Sequence, residues 1–229
     1  MEARHMSRVL VLVEGPTERA IVDRVFAPEM GGRGVYLYPR VVGKPGHKGG
    51  NKFATVLREL KALLSQESDS TVTMLFDYYG LREDWPGLAS AKGKRPEEIP
   101  TIIEPAIAAE VAAEMGLDFN RNRFIPYVQL HETESLLFAC PDKMAQIFQR
   151  PELEAEFTKI VEECGGCEAI NDDPETAPSK RIIRLFPGYK KGSSVNAHAH
   201  RIARHIGLQR MREQCPHFNE WMTKIEHLA

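Results

Sequence analysis

Val9-Leu10-Val11-Leu12-Val13-Glu14-Gly15-Pro16-Thr17-Glu18 reads as a strand, a tight turn and the start of a helix. Five consecutive apolar residues, three of them Val, predict a strand buried on both faces, as in a parallel sheet. The run stops on the carboxylate of Glu14. Gly15 permits a tight turn, and Pro16 suits the first position of a helix. Over residues 17–26, Ala20, Ile21, Val25 and Phe26 recur at helical spacing. Glu14 is thereby placed at the carboxyl end of the first strand, where open α/β sheets hold their ligands. Glu18, in the first turn of the helix, can face the same crevice.

Outward from this unit the same alternation continues. Residues 36–42 read as a second strand. Residues 53–64 read as a helix with Phe53, Val56, Leu57, Leu60 and Leu63 on one face. Residues 71–77 form a third apolar strand that ends on Asp77. Residues 80–100, rich in Gly, Pro and charge, read as a loop. A helix is expected over 102–115, a fourth strand over 123–130, and a helix starting within 132–138. This order predicts an α/β fold, a mostly parallel four-stranded sheet with helices on both faces. Beyond Pro141 no strand is evident. The chain therefore divides into an α/β core over residues 7–140 and a mainly helical extension over 141–229 packed on it.

Three apolar strands end beside acids: Glu14, Asp77, and Glu132 with Glu134. In a parallel sheet those ends share one edge, so carboxylates scattered in sequence converge in space. Hard oxygen ligands of this kind select Mg²⁺ or Mn²⁺, and such ions serve phosphodiester chemistry. The competing reading is that acids favour helix N-termini for dipole reasons alone. For Glu18 the two readings stand level. Glu14 and Asp77 each follow a buried run directly, which favours function. Glu132 and Glu134 are two residues apart and point differently, so the ligand between them stays open. His131 either carries a proton near the metal or orients a carboxylate.

Val13-Glu14-Gly15-x-Thr17-Glu18 resembles the opening motif of Toprim domains, in the form found in overcoming-lysogenization-defect (OLD) nucleases. Three further segments carry a closer resemblance: Phe76-Asp77-Tyr78-Tyr79-Gly80-Leu81, His131-Glu132-Thr133-Glu134-Ser135-Leu136-Leu137-Phe138, and Ala177-Pro178-Ser179-Lys180-Arg181. Together they resemble the stand-alone Toprim-like family known as domain of unknown function 4276, from about Ser7 to the C-terminus. The resemblance implies a Rossmannoid Toprim-like core and a Mg²⁺- or Mn²⁺-dependent nuclease. Glu14, Glu18 and Asp77 match metal-binding positions, with Glu132 or Glu134 as a later acidic ligand. Lys180 matches a lysine that could stabilise charge on a phosphate. The implied catalytic set is Glu14, Asp77, Lys180 and His131. The chain departs from the Toprim pattern at Asp77-Tyr78-Tyr79, where Asp-x-Asp is usual. That removes one ligand and puts two-metal occupancy in doubt; Asp84 is a candidate substitute. No Walker motif is present, so the resemblance implies a separate ABC-type ATPase partner, with phage defence as the setting. A homodimer is compatible with it.

The 229 residues carry 42% hydrophobic and 27% charged side chains and a net charge of −2. Near-neutrality excludes a protein that coats nucleic acid by bulk charge, so contact must come from local patches. Lys44, Lys48 and Lys52 lie in a glycine-rich loop suited equally to phosphate and to plain solvation. Arg181, Lys190, Lys191, Arg201 and Arg204 complete the candidate nucleic-acid surface, DNA being expected ahead of RNA. No apolar run approaches the roughly 20 residues that span a bilayer, and no secretory signal is read. Four cysteines are too few for a disulfide framework in a chain of this size. A reducing cytoplasm is therefore expected, with Cys140, Cys164, Cys167 and Cys215 as free thiols rather than a zinc site. On a helix, His198 and His200 would point about 200° apart and so not share an ion. The competing function is a non-enzymatic nucleic-acid- or partner-binding protein with a degraded site.

Overall fold

The first strand, β1 (Ser7–Val13), runs parallel to β2 (Val35–Val41) on one side and to β3 (Thr71–Asp77) on the other. A computed structural model describes residues 6–43, 52–171, 173–195 and 197–229. Alternate residues of β1 feed opposite cores, which is why the run is apolar throughout. Val9, Val11 and Val13 join one hydrophobic cluster and Leu10 and Leu12 the other. The fold is α/β, with a parallel sheet in the order β2-β1-β3-β4. The fourth strand expected over 123–130 is instead two short ones, β4 (Phe124–Ile125) and β5 (Val128–Gln129), both parallel to β3. Pro126 lies between them and has no N–H to give the ladder.

On one face pack α3 (Phe53–Gln66), α4 (Leu88–Ala91) and α5 (Ile99–Met115). The segment expected as a plain loop over 80–100 is pinned by apolar residues between its turns. Trp85 is buried there, with ring centroids 5.3 Å from Phe53 and 5.4 Å from Phe76. α5 starts three residues earlier than its apolar spacing suggests, because Pro100 is tolerated in a first helical turn.

On the other face, α1 (Pro16–Ile21) passes through a π-helical turn (Val22–Phe26) into α2 (Ala27–Gly31). It shares one continuous cluster with residues of α6 (Pro141–Phe148), α7 (Leu153–Cys164), α8 (Pro178–Leu185), α9 (His198–Ile206), α10 (Leu208–Gln214) and α11 (Pro216–Glu226). The C-terminal helices thus complete the core beneath β1. Trp221 of α11 is fully buried and stacks on Tyr127 at 4.2 Å and 7°. Its indole N–H donates to the Thr73 hydroxyl at 2.8 Å, and that hydroxyl donates to the Ile125 carbonyl at 2.6 Å. Thr73→Val keeps the shape but strands a buried donor and acceptor, and is expected to cost about 1–3 kcal/mol, read as a lowered urea midpoint.

β2 lies at the open edge of the sheet. The Val42 N–H donates to Val13, so even-numbered residues of β2 bond inward and odd-numbered ones face outward. Pro39 therefore removes a donor from the exposed edge, a device that discourages strand addition. Among the described residues, no helix is long and apolar enough to cross a membrane.

Candidate functional site

The carboxyl ends of β1 and β3 lie side by side, because the two strands are parallel and in register over five residue pairs. The Glu14 N–H continues the ladder to the Leu75 carbonyl at 3.2 Å. The Glu14 Oε2 in turn accepts the Asp77 N–H at 3.3 Å. Pro16 begins α1 in its first turn, which places Glu18 in that turn and buries it. A Cβ added at Gly15 would stand 3.1 Å from the Glu18 carboxylate. The backbone here is extended, so space rather than conformation favours glycine.

The third contributor follows β5. His131 is buried with φ at 60°, left-handed for a residue other than glycine, a geometry that concentrates at functional sites. Its carbonyl accepts the Tyr79 N–H at 2.9 Å, tying this turn to the one after Asp77. The helix expected to start within 132–138 is a 3₁₀ helix (Thr133–Ala139). The Asp77 Oδ1 accepts both the Thr133 N–H at 2.8 Å and the Thr133 hydroxyl at 2.6 Å.

Glu132 and Glu134 both turn inward. Glu132 accepts the Ser179 N–H at 2.7 Å and the Ser179 hydroxyl at 3.0 Å. Glu134, 1% exposed, accepts the Tyr189 hydroxyl at 3.2 Å. The Lys191 ammonium bridges the pair, 3.0 Å from Glu134 and 3.4 Å from Glu132. Its side chain is 45% exposed, so the charge reaches inward from an accessible stem. The loop bearing it is fastened where the Gly192 N–H donates to the Thr17 hydroxyl at 2.9 Å.

Electrostatically the cluster is overloaded. Burial, then Glu134 and Glu14, push the Glu18 carboxyl up to about 7 against the hydrogen bond to its own backbone. Burial, then Glu18, Glu14 and Glu134, hold Asp77 well above the usual carboxylate range. Burial also raises Glu134, opposed chiefly by Lys191. Burial would lower the Lys191 ammonium, but Glu134 and Glu132 outweigh it and raise it. Like charges held close disfavour ionisation in this way.

The donor set is all oxygen, the chemistry of a hard cation. Glu134 Oε2 is buried with no hydrogen-bond partner, an acceptor left for such an ion. In the arrangement present, however, no cluster of three or more His, Cys, Asp or Glu among the described residues is set to hold a metal. Glu132 and Glu134 face Lys191 instead.

The other candidate residues divide clearly. Lys180 stands exposed on the first turn of α8, while its neighbour Ser179 is buried against Glu132. Lys191, expected in the nucleic-acid surface, is the lysine that reaches the carboxylates. Arg181 donates to the Thr176 carbonyl at 2.6 Å. Lys52, Lys190, Arg201 and Arg204 are exposed; Lys44 and Lys48 lie outside the described residues. Asp84 accepts the Phe53 N–H at 2.8 Å and so caps α3 rather than replacing a missing ligand. The four cysteines are free. His217 lies 3.0 Å from Glu104. His200 is buried, not at the surface as a helical His-x-His would suggest, and its Nε2 faces Arg24 at 2.7 Å. Ser179, Tyr189, Thr133 and Thr17 were not singled out from the sequence. Ser179, Thr133 and Thr17 do sit inside the quoted motifs.

Residues 13–226 match the family described as a domain of unknown function (DUF4276). The chain belongs to that family. No curated protein and no solved structure matches it. The family match spans both the α/β core and the C-terminal helices, and Lys191 and Ser179, which close the carboxylate cluster from the helical part, fall within it.

Proposed function

We propose that this chain is a metal-dependent nuclease of the Toprim type, acting in the cytoplasm as the effector of a separate ABC-type ATPase in phage defence. The observation that carries the reading is the excess of carboxylate at one sheet edge. Glu14, Glu18, Asp77, Glu132 and Glu134 gather there, Lys191 pairs with Glu132 and Glu134 alone, and Glu18, Asp77 and Glu134 are pushed upward. A bound Mg²⁺ or Mn²⁺ would relieve that repulsion. Glu14, Glu18, Asp77 and Glu134 would have to draw closer than they stand here to hold it, and it would supply Lewis-acid polarisation of a phosphoryl oxygen. The chain's own residues do the rest. Thr133 fixes Asp77, Ser179 fixes Glu132, and Lys191 offers a positive charge to the phosphate once the acids have another partner. The Toprim-like motifs and the edge position of the acids support the same reading.

A second reading has its own observation. Lys191 already neutralises Glu132 and Glu134, which favours a protein that binds nucleic acid or a partner without cleaving. The test is incubation with plasmid DNA, single-stranded DNA and RNA in Mg²⁺ or Mn²⁺, with and without the ATPase. Slow cleavage by the chain alone is expected, better in Mn²⁺ and stimulated by the ATPase, because near-neutral net charge leaves little affinity for substrate. No cleavage under any of these conditions would favour the binding protein.

A further inference from the structure

A concavity lies next to the chain segments that carry Glu14 and Lys191. It is lined by Pro16, Arg19, Ala20, Asp23, Arg24, Val41 and Ser193, with a volume of about 340 Å³. Pro16 is two residues from Glu14 and Ser193 two from Lys191, so the cleft adjoins the candidate site. Small-molecule sites begin at about 300 Å³, room enough for a phosphate group with its neighbouring sugar.

The cleft is built around Arg24. This residue lies in the π-helical turn Val22–Phe26, a rare geometry that recurs at functional sites. Its Nη2 donates to the Ser193 carbonyl at 3.1 Å, and its Nη1 lies 2.7 Å from Nε2 of the buried His200. A guanidinium can only donate, so Nε2 accepts and His200 is neutral with its proton on Nδ1. That Nδ1 is buried without a partner, so the ring's other nitrogen is committed to Arg24 at the expense of this one. Two of the five guanidinium N–H groups are thus engaged by protein, and the fork is oriented in advance. Arg19 adds a second positive charge. Asp23, 3.4 Å from Arg19, offsets one, and the cleft keeps an excess of one.

We infer that this cleft is a phosphate subsite, in which Arg24, with Arg19, holds a backbone phosphate of a nucleic acid whose neighbouring linkage lies at the carboxylates. The inference rests on the nuclease reading for the identity of that neighbour, and its test does not. Orientation by His200 and Ser193 suits bidentate contact with phosphate oxygens, which an arginine makes and a lysine does not.

The test is equilibrium binding of a fluorescent 20-nucleotide DNA in EDTA, where no cleavage intervenes, over a series of salt concentrations. Arg24→Gln is expected to weaken binding about tenfold and to lower the slope of log affinity against log salt by about one. Arg24→Lys is expected to keep the slope and lose part of the affinity, which guards against a folding artefact. Lys159→Gln, on the exposed face of α7, is expected to change neither. Competition with inorganic phosphate and with a mononucleotide separates the sources. Arg24-dependent binding of these alone, without the oligonucleotide, would keep the phosphate site and reassign its ligand to a small molecule. Unchanged affinity and slope in Arg24→Gln, or no binding of any of the three by the unaltered chain, would overturn the inference. Arg24-dependent binding by a chain that never cleaves would leave the subsite standing and remove the nuclease reading.

Discussion

Asp77→Asn is expected to abolish Mn²⁺-dependent cleavage while leaving the chain folded. Asp77 uses Oδ1 alone for its two bonds to Thr133, and an asparagine oxygen can accept both. The amide nitrogen would then face Glu14, Glu18 and Glu134, whose charges repel the carboxylate now there. In EDTA the thermal midpoint should therefore hold or rise. What disappears is a negative oxygen at the place where the acids meet, and with it the gain in midpoint on adding Mn²⁺. Glu14→Gln should behave alike, because its oxygen can still accept the Asp77 N–H. A gel assay beside a thermal titration with Mn²⁺ checks both. Full cleavage by either variant would remove that residue from the mechanism; loss of cleavage with an unfolded chain would point to structure instead.

The parts of this molecule that were legible in its sequence are those governed by local rules. The bounds of β3 follow from an apolar run closed by a carboxylate, and β1 from the same pattern before Gly15-Pro16. Parallel strands then bring Glu14 and Asp77 together whatever lies between them. What was not legible depends on contacts distant in sequence. The 80–100 segment has the composition of a loop, yet Trp85 finds Phe53 and Phe76 and is fixed. Residues 123–130 alternate like a strand, but Pro126 divides them. Lys191 follows Lys190 in an exposed-looking run, and bonds distant in sequence, from Gly192 to Thr17 and from Arg24 to the Ser193 carbonyl, hold its loop where the ammonium meets Glu134. Lys180 sits inside a recognisable motif, yet the first turn of α8 presents Ser179 to Glu132 and leaves the lysine outside. A motif marks a segment; helix phase decides which of its residues arrives.

Glu18 should make the chain less stable as pH rises through neutrality. Its carboxyl is pushed from the ordinary 4.5 up to about 7 in the fold. Between those values the native state binds more protons than the unfolded state, so stability falls with rising pH. The contribution is complete below about 4.5 and is lost as pH passes about 7, with a span of roughly 3 kcal/mol. Asp77 and Glu134 shift upward too and act in the same direction. Urea midpoints in EDTA should decline from pH 5 to pH 8, and Glu18→Gln should flatten much of that decline. A divalent ion that binds only the native cluster stabilises by mass action and competes with these protons. Mn²⁺ should therefore raise the midpoint more at pH 8 than at pH 5.5. A midpoint that climbs with pH in EDTA would contradict the upward shift of Glu18. A metal effect equal at both values would place the ion away from these carboxylates, because protons and a cation that share one set of oxygens cannot be indifferent to each other.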